Sequence, residues 1–338
     1  MRTVRPSRRA FAFAAVAVTL TASLAACGSE DEANAGTAAA ASGTVTIGAQ
    51  AKDIGKVTEL KVEKQQAIAD LVPAAIKADG KLTIGLGALP TGFPPLAFVG
   101  DDDKTLTGAE PDLGRLVAAV LGLTPEINNA TWDNLFVGID SGKTEVGFSN
   151  ITDTEQRKEK YDFASYRQDN LGFAVKDGNA WTFDKDYKKL AGLKVAVGAG
   201  TNQEKILVAW QEKLKAEGKT LDIKYFADTP TTFKALVSGQ IDAYFGPNPG
   251  VAYQISRTKG TADAVRNAGV YSGAGETLQG LIAATTKKDS QLAKPIAEAI
   301  NYLIANGQYQ QWLAAYNLDT EAVQTSQVNP PGLPKSNA

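Results

Sequence analysis

The chain has 338 residues, with 35 basic and 37 acidic side chains, a net charge of −2, no histidine and one cysteine. Without histidine, and with Cys27 as the sole thiol, the usual zinc, copper and haem ligand sets are excluded, as are Ser-His-Asp and Cys-His nucleophilic machineries. The acidic balance and the lack of a basic patch interleaved with aromatics leave nothing to hold nucleic acid, and no cofactor or metal is expected.

The first residues read as targeting. Arg2, Arg5, Arg8 and Arg9 form a basic segment, and Phe11 to Leu24 is an apolar, alanine-rich run shorter than a membrane span. Leu24-Ala25-Ala26-Cys27 resembles a lipobox, so residues 1–27 are expected to be a lipoprotein signal peptide with Cys27 carrying the lipid. Ser7-Arg8-Arg9-Ala10-Phe11 resembles a twin-arginine export signal, with general secretory export as the alternative. Setting residues 1–27 aside leaves 31 basic against 37 acidic side chains, a net charge of −6. Gly28 to Thr44 has the small, acidic composition of a flexible tether. Residues 28–80 are thus tether and N-terminal extension, with a short strand at Thr44–Gly48 and an amphipathic helix from Glu59 to Ala78 interrupted by Pro73.

From Lys81 the pattern is globular. Leu82 to Leu86 is a buried-strand run that feeds the loop Pro90–Phe98. Asp112 is placed to cap a helix whose Leu113, Leu116, Val117, Val120 and Leu121 share one face, so Glu110 and Asp112 read as structural carboxylates. Thr131-Trp132-Asp133 opens a second amphipathic helix with Leu135, Phe136 and Ile139 inward. A short strand then enters Ser149-Asn150-Ile151-Thr152-Asp153-Thr154, followed by a charged turn carrying Arg157. A strand end, free backbone N–H groups and one guanidinium suit a carboxylate; the alternative is a solvated helix start with Arg157 as a surface charge.

A second α/β unit begins at the strand Lys194–Val197. Its turn, Gly198-Ala199-Gly200-Thr201-Asn202, offers an anion site without any nucleotide-binding fingerprint. A helix with Ile206, Leu207, Trp210 and Leu214 inward comes next, then strand Leu221–Phe226, helix Thr231–Gly239 and strand Ile241–Phe245, which ends in Gly246-Pro247-Asn248-Pro249. Two last helices are expected at Ser290–Asn306 and Tyr309–Tyr316, and the tail from Gln324 reads as disordered.

Together with Gly108-Ala109-Glu110-Pro111-Asp112-Leu113, the stretch Ser149–Phe163 resembles the polar amino-acid solute-binding proteins of bacterial ABC importers, family 3, over roughly residues 81–318. The resemblance implies an α/β, two-lobed periplasmic-binding-protein-like fold of type II, each lobe a mostly parallel sheet with flanking helices, joined by a two-segment hinge. Lobe 1 would be 81–172, lobe 2 173–275, the crossing strand and the rest of lobe 1 276–322, and the disordered tail 323–338. It implies that Arg157 grips a ligand carboxylate, held also by the Thr152 hydroxyl and backbone and by Thr201, that Phe93 and Trp132 wall the pocket, and that lobe 2 closes through Thr201 and Asn202; Ser149 and Asn150 offer further polar side chains to the ligand.

The sequence departs from that pattern at Pro247, where the family usually has an aspartate for the ligand's ammonium, and near Pro90, where a first-lobe carboxylate is also missing. A buried ammonium without a partner is costly. Either Asn248, Glu204 or Glu276 substitutes, or the ligand is not a simple α-amino acid. The implied protein is a monomeric, lipid-anchored extracytoplasmic receptor that hands an amino acid or related carboxylate-bearing solute to an ABC permease, with no catalytic residue. Two alternatives share its fold: a cyclic-acid dehydratase using an acid such as Glu204, and a ligand-sensing module for a membrane kinase.

Overall fold

The structure, a computed structural model, describes residues 43–51 and 53–335. The signal segment, Cys27 and the tether up to residue 42 lie outside the described residues.

The chain opens with an antiparallel hairpin, β1 (Gly43–Ile47) and β2 (Thr58–Val62). In Thr58-Glu59-Leu60-Lys61-Val62 the inward residues alternate, so the segment is a strand where a helix from Glu59 was expected. Only two short helices, α1 (Gln66–Ala69) and α2 (Ala74–Asp79), flank Pro73. Val45, Ile47, Leu60 and Val62 join the core cluster of Leu113 and Val117, which makes the extension part of the first lobe.

Lobe 1 continues with β3 (Lys81–Leu86), β4 (Phe98–Val99), β5 (Leu106–Thr107), α3 (Ala109–Leu121), β6 (Thr124–Asn129), α4 (Trp132–Ser141), β7 (Val146–Gly147) and β8 (Tyr161–Gln168). Gly108, at φ 117, is the N-cap of α3, and Asp112 sits inside its first turn. There it accepts hydrogen bonds from the Gly48 N–H and the Tyr316 hydroxyl, tying the extension and the last helix to α3.

Lobe 2 holds β9 (Asn170–Lys176), β10 (Lys194–Ala196), α5 (Asn202–Ala216), β11 (Asp222–Lys224), α6 (Thr229–Val237), β12 (Ala243–Pro247), α7 (Asn248–Thr258) and β13 (Val265–Ser272). The chain then returns to lobe 1 for β14 (Leu281–Lys287), α8 (Ala293–Ala305) and α9 (Gln308–Ala315). The proline-rich turn at 246–249 reads as a terminator, yet Pro249 lies in the first turn of α7, where a missing N–H costs nothing. Trp312 is fully buried and donates its indole N–H to the Ala109 carbonyl at 2.8 Å.

The two five-stranded sheets run β6-β3-β7-β14-β8 and β11-β10-β12-β9-β13. In each, two pairings are parallel and two antiparallel. Both sheets are therefore mixed rather than mostly parallel, because the strands next to the crossings run back against the α/β units. Period-two burial splits the lobe 2 core: Phe173, Val195 and Phe245 pack on one face, Ala174, Ala196 and Tyr244 on the other. Between β8 and β9 the crossing is the single residue Asp169, slightly before the expected boundary; the second crossing is Gly273–Gly280.

The tail differs from the expectation of disorder. Gln327 and Asn329 pair with β8, through Ser165 N to Gln327 O at 3.0 Å and Asn329 N to Phe163 O at 3.0 Å. Leu333 is fully buried within the lobe 2 core cluster. The free edge of β8 supplies the backbone partners that a tail read for composition alone does not reveal.

Candidate functional site

A cavity of about 390 Å³ lies between the lobes. Lobe 1 contributes the loop Gly87–Phe93, the start of α4, Ser149 and Asn150; lobe 2 contributes Val197–Ala199, Thr201–Gln203, Phe226–Thr229, Tyr244 and Pro247. That volume suits a small solute.

Three helix starts converge on it. Thr131 caps α4 by accepting from Asn134 N at 3.4 Å, Thr201 caps α5 from Glu204 N at 3.2 Å, and Asp228 caps α6 from Thr231 N at 2.8 Å. Each cap satisfies one donor and leaves other first-turn N–H groups for an anion.

Of the sequence-derived site residues, Phe93, Trp132, Ser149, Asn150, Thr201 and Asn202 line the cavity. The Ser149 hydroxyl accepts from Gly87 N at 2.8 Å, and Asn150, at φ 51, accepts from the buried Arg167 guanidinium. Phe93 reaches across to α7, where a side chain on Gly250 would meet its ring at 2.6 Å. Trp132 also crosses the cleft, donating its indole N–H to Gly200 O at 3.3 Å.

Thr152, Arg157, Asn248, Glu204 and Glu276 are not in the lining. The Thr152 hydroxyl is 2.7 Å from both Asp169 Oδ2 and Asn202 Oδ1. Arg157 donates to Thr152 O at 2.9 Å and to Gly200 O at 3.4 Å, and its guanidinium carbon lies 5.5 and 5.4 Å from the Trp132 and Phe136 ring centres. Burial pushes its pKa down to about 10. Asn248 accepts from Asn267 Nδ2 at 3.2 Å. Glu204 turns to the Gly200 N–H at 2.6 Å, in a depression it shares with Arg157 and Trp132, while Glu276 is exposed on the second crossing.

The cavity also holds groups the sequence did not single out for binding: Glu110, Asp133, Asp228, Phe226 and Tyr244. Glu110 is fully buried, accepts from the Tyr166 hydroxyl and pairs with Arg167 at 3.2 Å. Arg167 in turn pairs with Glu321. The turn Phe226-Ala227-Asp228-Thr229, with its one aspartate ahead of a helix, was the available signal, since a helix cap beside a strand end in an α/β lobe faces the ligand side.

Compared with known proteins, residues 86–319 match the bacterial extracellular solute-binding proteins, family 3. The chain belongs to that family. It is 30% identical to the L-cystine-binding protein TcyJ of Escherichia coli K12 over 71% of this chain and 85% of that one. It is 28% identical to the arginine-binding protein ArgT of Corynebacterium glutamicum, over 77% and 81% respectively. An ancestral arginine-binding protein bound to arginine superimposes with a TM-score of 0.60 at 26% identity, covering 70% of this chain and 98% of that chain. The fold is that of the type II periplasmic binding proteins. The relatives are binding proteins by name, and this family member is a binding protein rather than an enzyme. Glu204, the acid a dehydratase would need, lies outside the cavity.

Proposed function

We propose that the protein is an extracytoplasmic receptor, anchored through a lipid on Cys27, that delivers an amino acid or a related small carboxylate-bearing solute to an ABC importer. The observation that carries this reading is the cavity walled by both lobes, in a fold whose two crossings permit hinge closure. Relatives named for cystine and for arginine favour the amino-acid class.

The carboxylate would sit against the start of α5, with Ser149, Asn150, Thr201 and Asn202 as polar contacts and Phe93 and Trp132 as walls. Arg157 would add its charge from behind Trp132, where it already meets the α5 turn at Gly200 O. Thr152 and Asn248 would support that shell, and Glu204 and Glu276 would leave any ammonium to other groups. No chemistry on the solute is needed.

Titration calorimetry of the full chain against the proteinogenic amino acids and cystine tests the reading. A micromolar or tighter ligand is expected, with affinity about ten- to a hundredfold weaker in Arg157→Ala. Silence across the whole set removes the amino-acid reading.

A further inference from the structure

We infer that the cleft selects a solute bearing a cationic group besides its carboxylate, held between Asp228 of lobe 2 and Asp133 of lobe 1. This rests on the receptor reading above and names the class of its ligand: an amino acid with a guanidinium or second ammonium on its side chain.

The charges around the cavity do not balance. Its lining holds three carboxylates, Glu110, Asp133 and Asp228, and no lysine or arginine. Glu110 is answered from behind the wall by Arg167, which the second carboxylate of Glu321 also faces. Arg157 stands outside the lining, where it donates to Thr152 O and Gly200 O. The Asp228 carboxylate has Thr231 alone as partner, through its backbone N–H and its side chain, and the Asp133 carboxylate has no hydrogen bond or ion pair among the described residues. Two uncompensated negative charges therefore line one cavity from opposite lobes. Closure would bring like charges together unless a cation lies between them.

The surroundings fit that cation. Trp132, Phe93, Phe226 and Tyr244 supply aromatic side chains in the same lining, which favour a poorly hydrated planar cation such as guanidinium. The bonds from Thr231 hold the Asp228 carboxyl below its usual range, so it is charged at neutral pH. Pro247 leaves no carboxylate at the end of β12, so the negative charge of the lining outside the Glu110–Arg167 pair lies at the α4 and α6 starts.

The deciding experiment compares arginine with citrulline, which replaces the guanidinium by a neutral urea of nearly the same shape. Calorimetry on the full chain should give arginine an advantage of about tenfold or more, and Asp228→Asn and Asp133→Asn should each cut that advantage by about tenfold. Asparagine caps a helix as well as aspartate, so Asp228→Asn should melt, without ligand, where the parent does. Equal affinity for the two ligands, or an advantage that survives both substitutions, overturns the inference. Binding of neutral amino acids with none of arginine overturns it while leaving the receptor reading intact; binding of no amino acid at all overturns both.

Discussion

Asp153 is buried without solvent contact, and its carboxylate meets the Lys158 ammonium at 3.2 Å with no further hydrogen-bond partner. Desolvation outweighs that lysine and pushes its pKa up to about 7. The folded chain then keeps a proton between pH 4 and 7 that the unfolded chain has released, using an unfolded value of about 4. The sign follows: this group's contribution to stability falls as pH rises through that window and is at its most unfavourable above pH 7. Asp153→Asn should therefore gain on the parent from pH 5 to pH 8, by at most about 3 kcal/mol, seen as diverging melting temperatures. Parallel melting profiles would refute it. At this scale the sequence was legible where one role suffices. Arg157 reads either as a ligand group or as a surface charge at a solvated helix start, and neither assignment contains the burial that decides what it and its neighbour Asp153 do. Asp228 caps α6, which begins at Thr229, two residues before the helix start expected from the sequence; its place in the cavity depends on how the two lobes face each other, which no local pattern encodes.

The tail shows the same limit for an element. Its prolines and polar residues lack periodicity, so composition gives disorder; in the fold it lies along β8, an edge strand of the lobe 1 sheet. Covering an edge removes a template for pairing with other chains. Beyond Asn329 the tail leaves that edge: Leu333 N approaches Asp153 O at 3.3 Å, Glu155 N donates to Leu333 O at 3.0 Å, and Lys205 of α5 donates to Pro334 O at 3.3 Å. Leu333→Ala should cost about 2–5 kcal/mol, the usual range for emptying a packed leucine site. Ending the chain at Val323 should lower the melting temperature further and raise light scattering on heating, since β8 is then bare. An unchanged melt on truncation would show that the tail merely rests on the surface. The β2 strand was lost to the sequence reading for a related reason: five alternating residues beside a long helical-looking run carry too short a signal.

For the molecule as a whole, the two crossings meet at one point. Gly273 N donates to Asp169 O at 2.9 Å, and a side chain at Gly273 would lie 1.7 Å from Asp169 Oδ2, so only glycine lets the crossings approach. The buried Asp169 carboxylate takes hydrogen bonds from Thr152 of lobe 1 and, at 3.3 Å, from Asn202 of lobe 2. This cluster joins the lobes next to the cavity that Asn202 lines, and its loss should favour opening. Thr152→Val removes the hydroxyl while keeping the side chain's shape, and leaves Asp169 short of one donor. If Thr152 acts through the hinge, the apparent dissociation constant rises by the inverse of the competent fraction, whatever the ligand. Arginine and its decarboxylated analogue agmatine should then weaken by the same factor, about threefold to tenfold for the loss of one hydrogen bond of this kind. Scattering of the ligand-free variant should also show a larger radius of gyration. If Thr152 instead holds the carboxylate directly, as the sequence resemblance implies, arginine alone weakens and agmatine does not. The ratio of the two affinities thus separates a hinge residue from a ligand contact, a distinction the motif around Arg157 could not make.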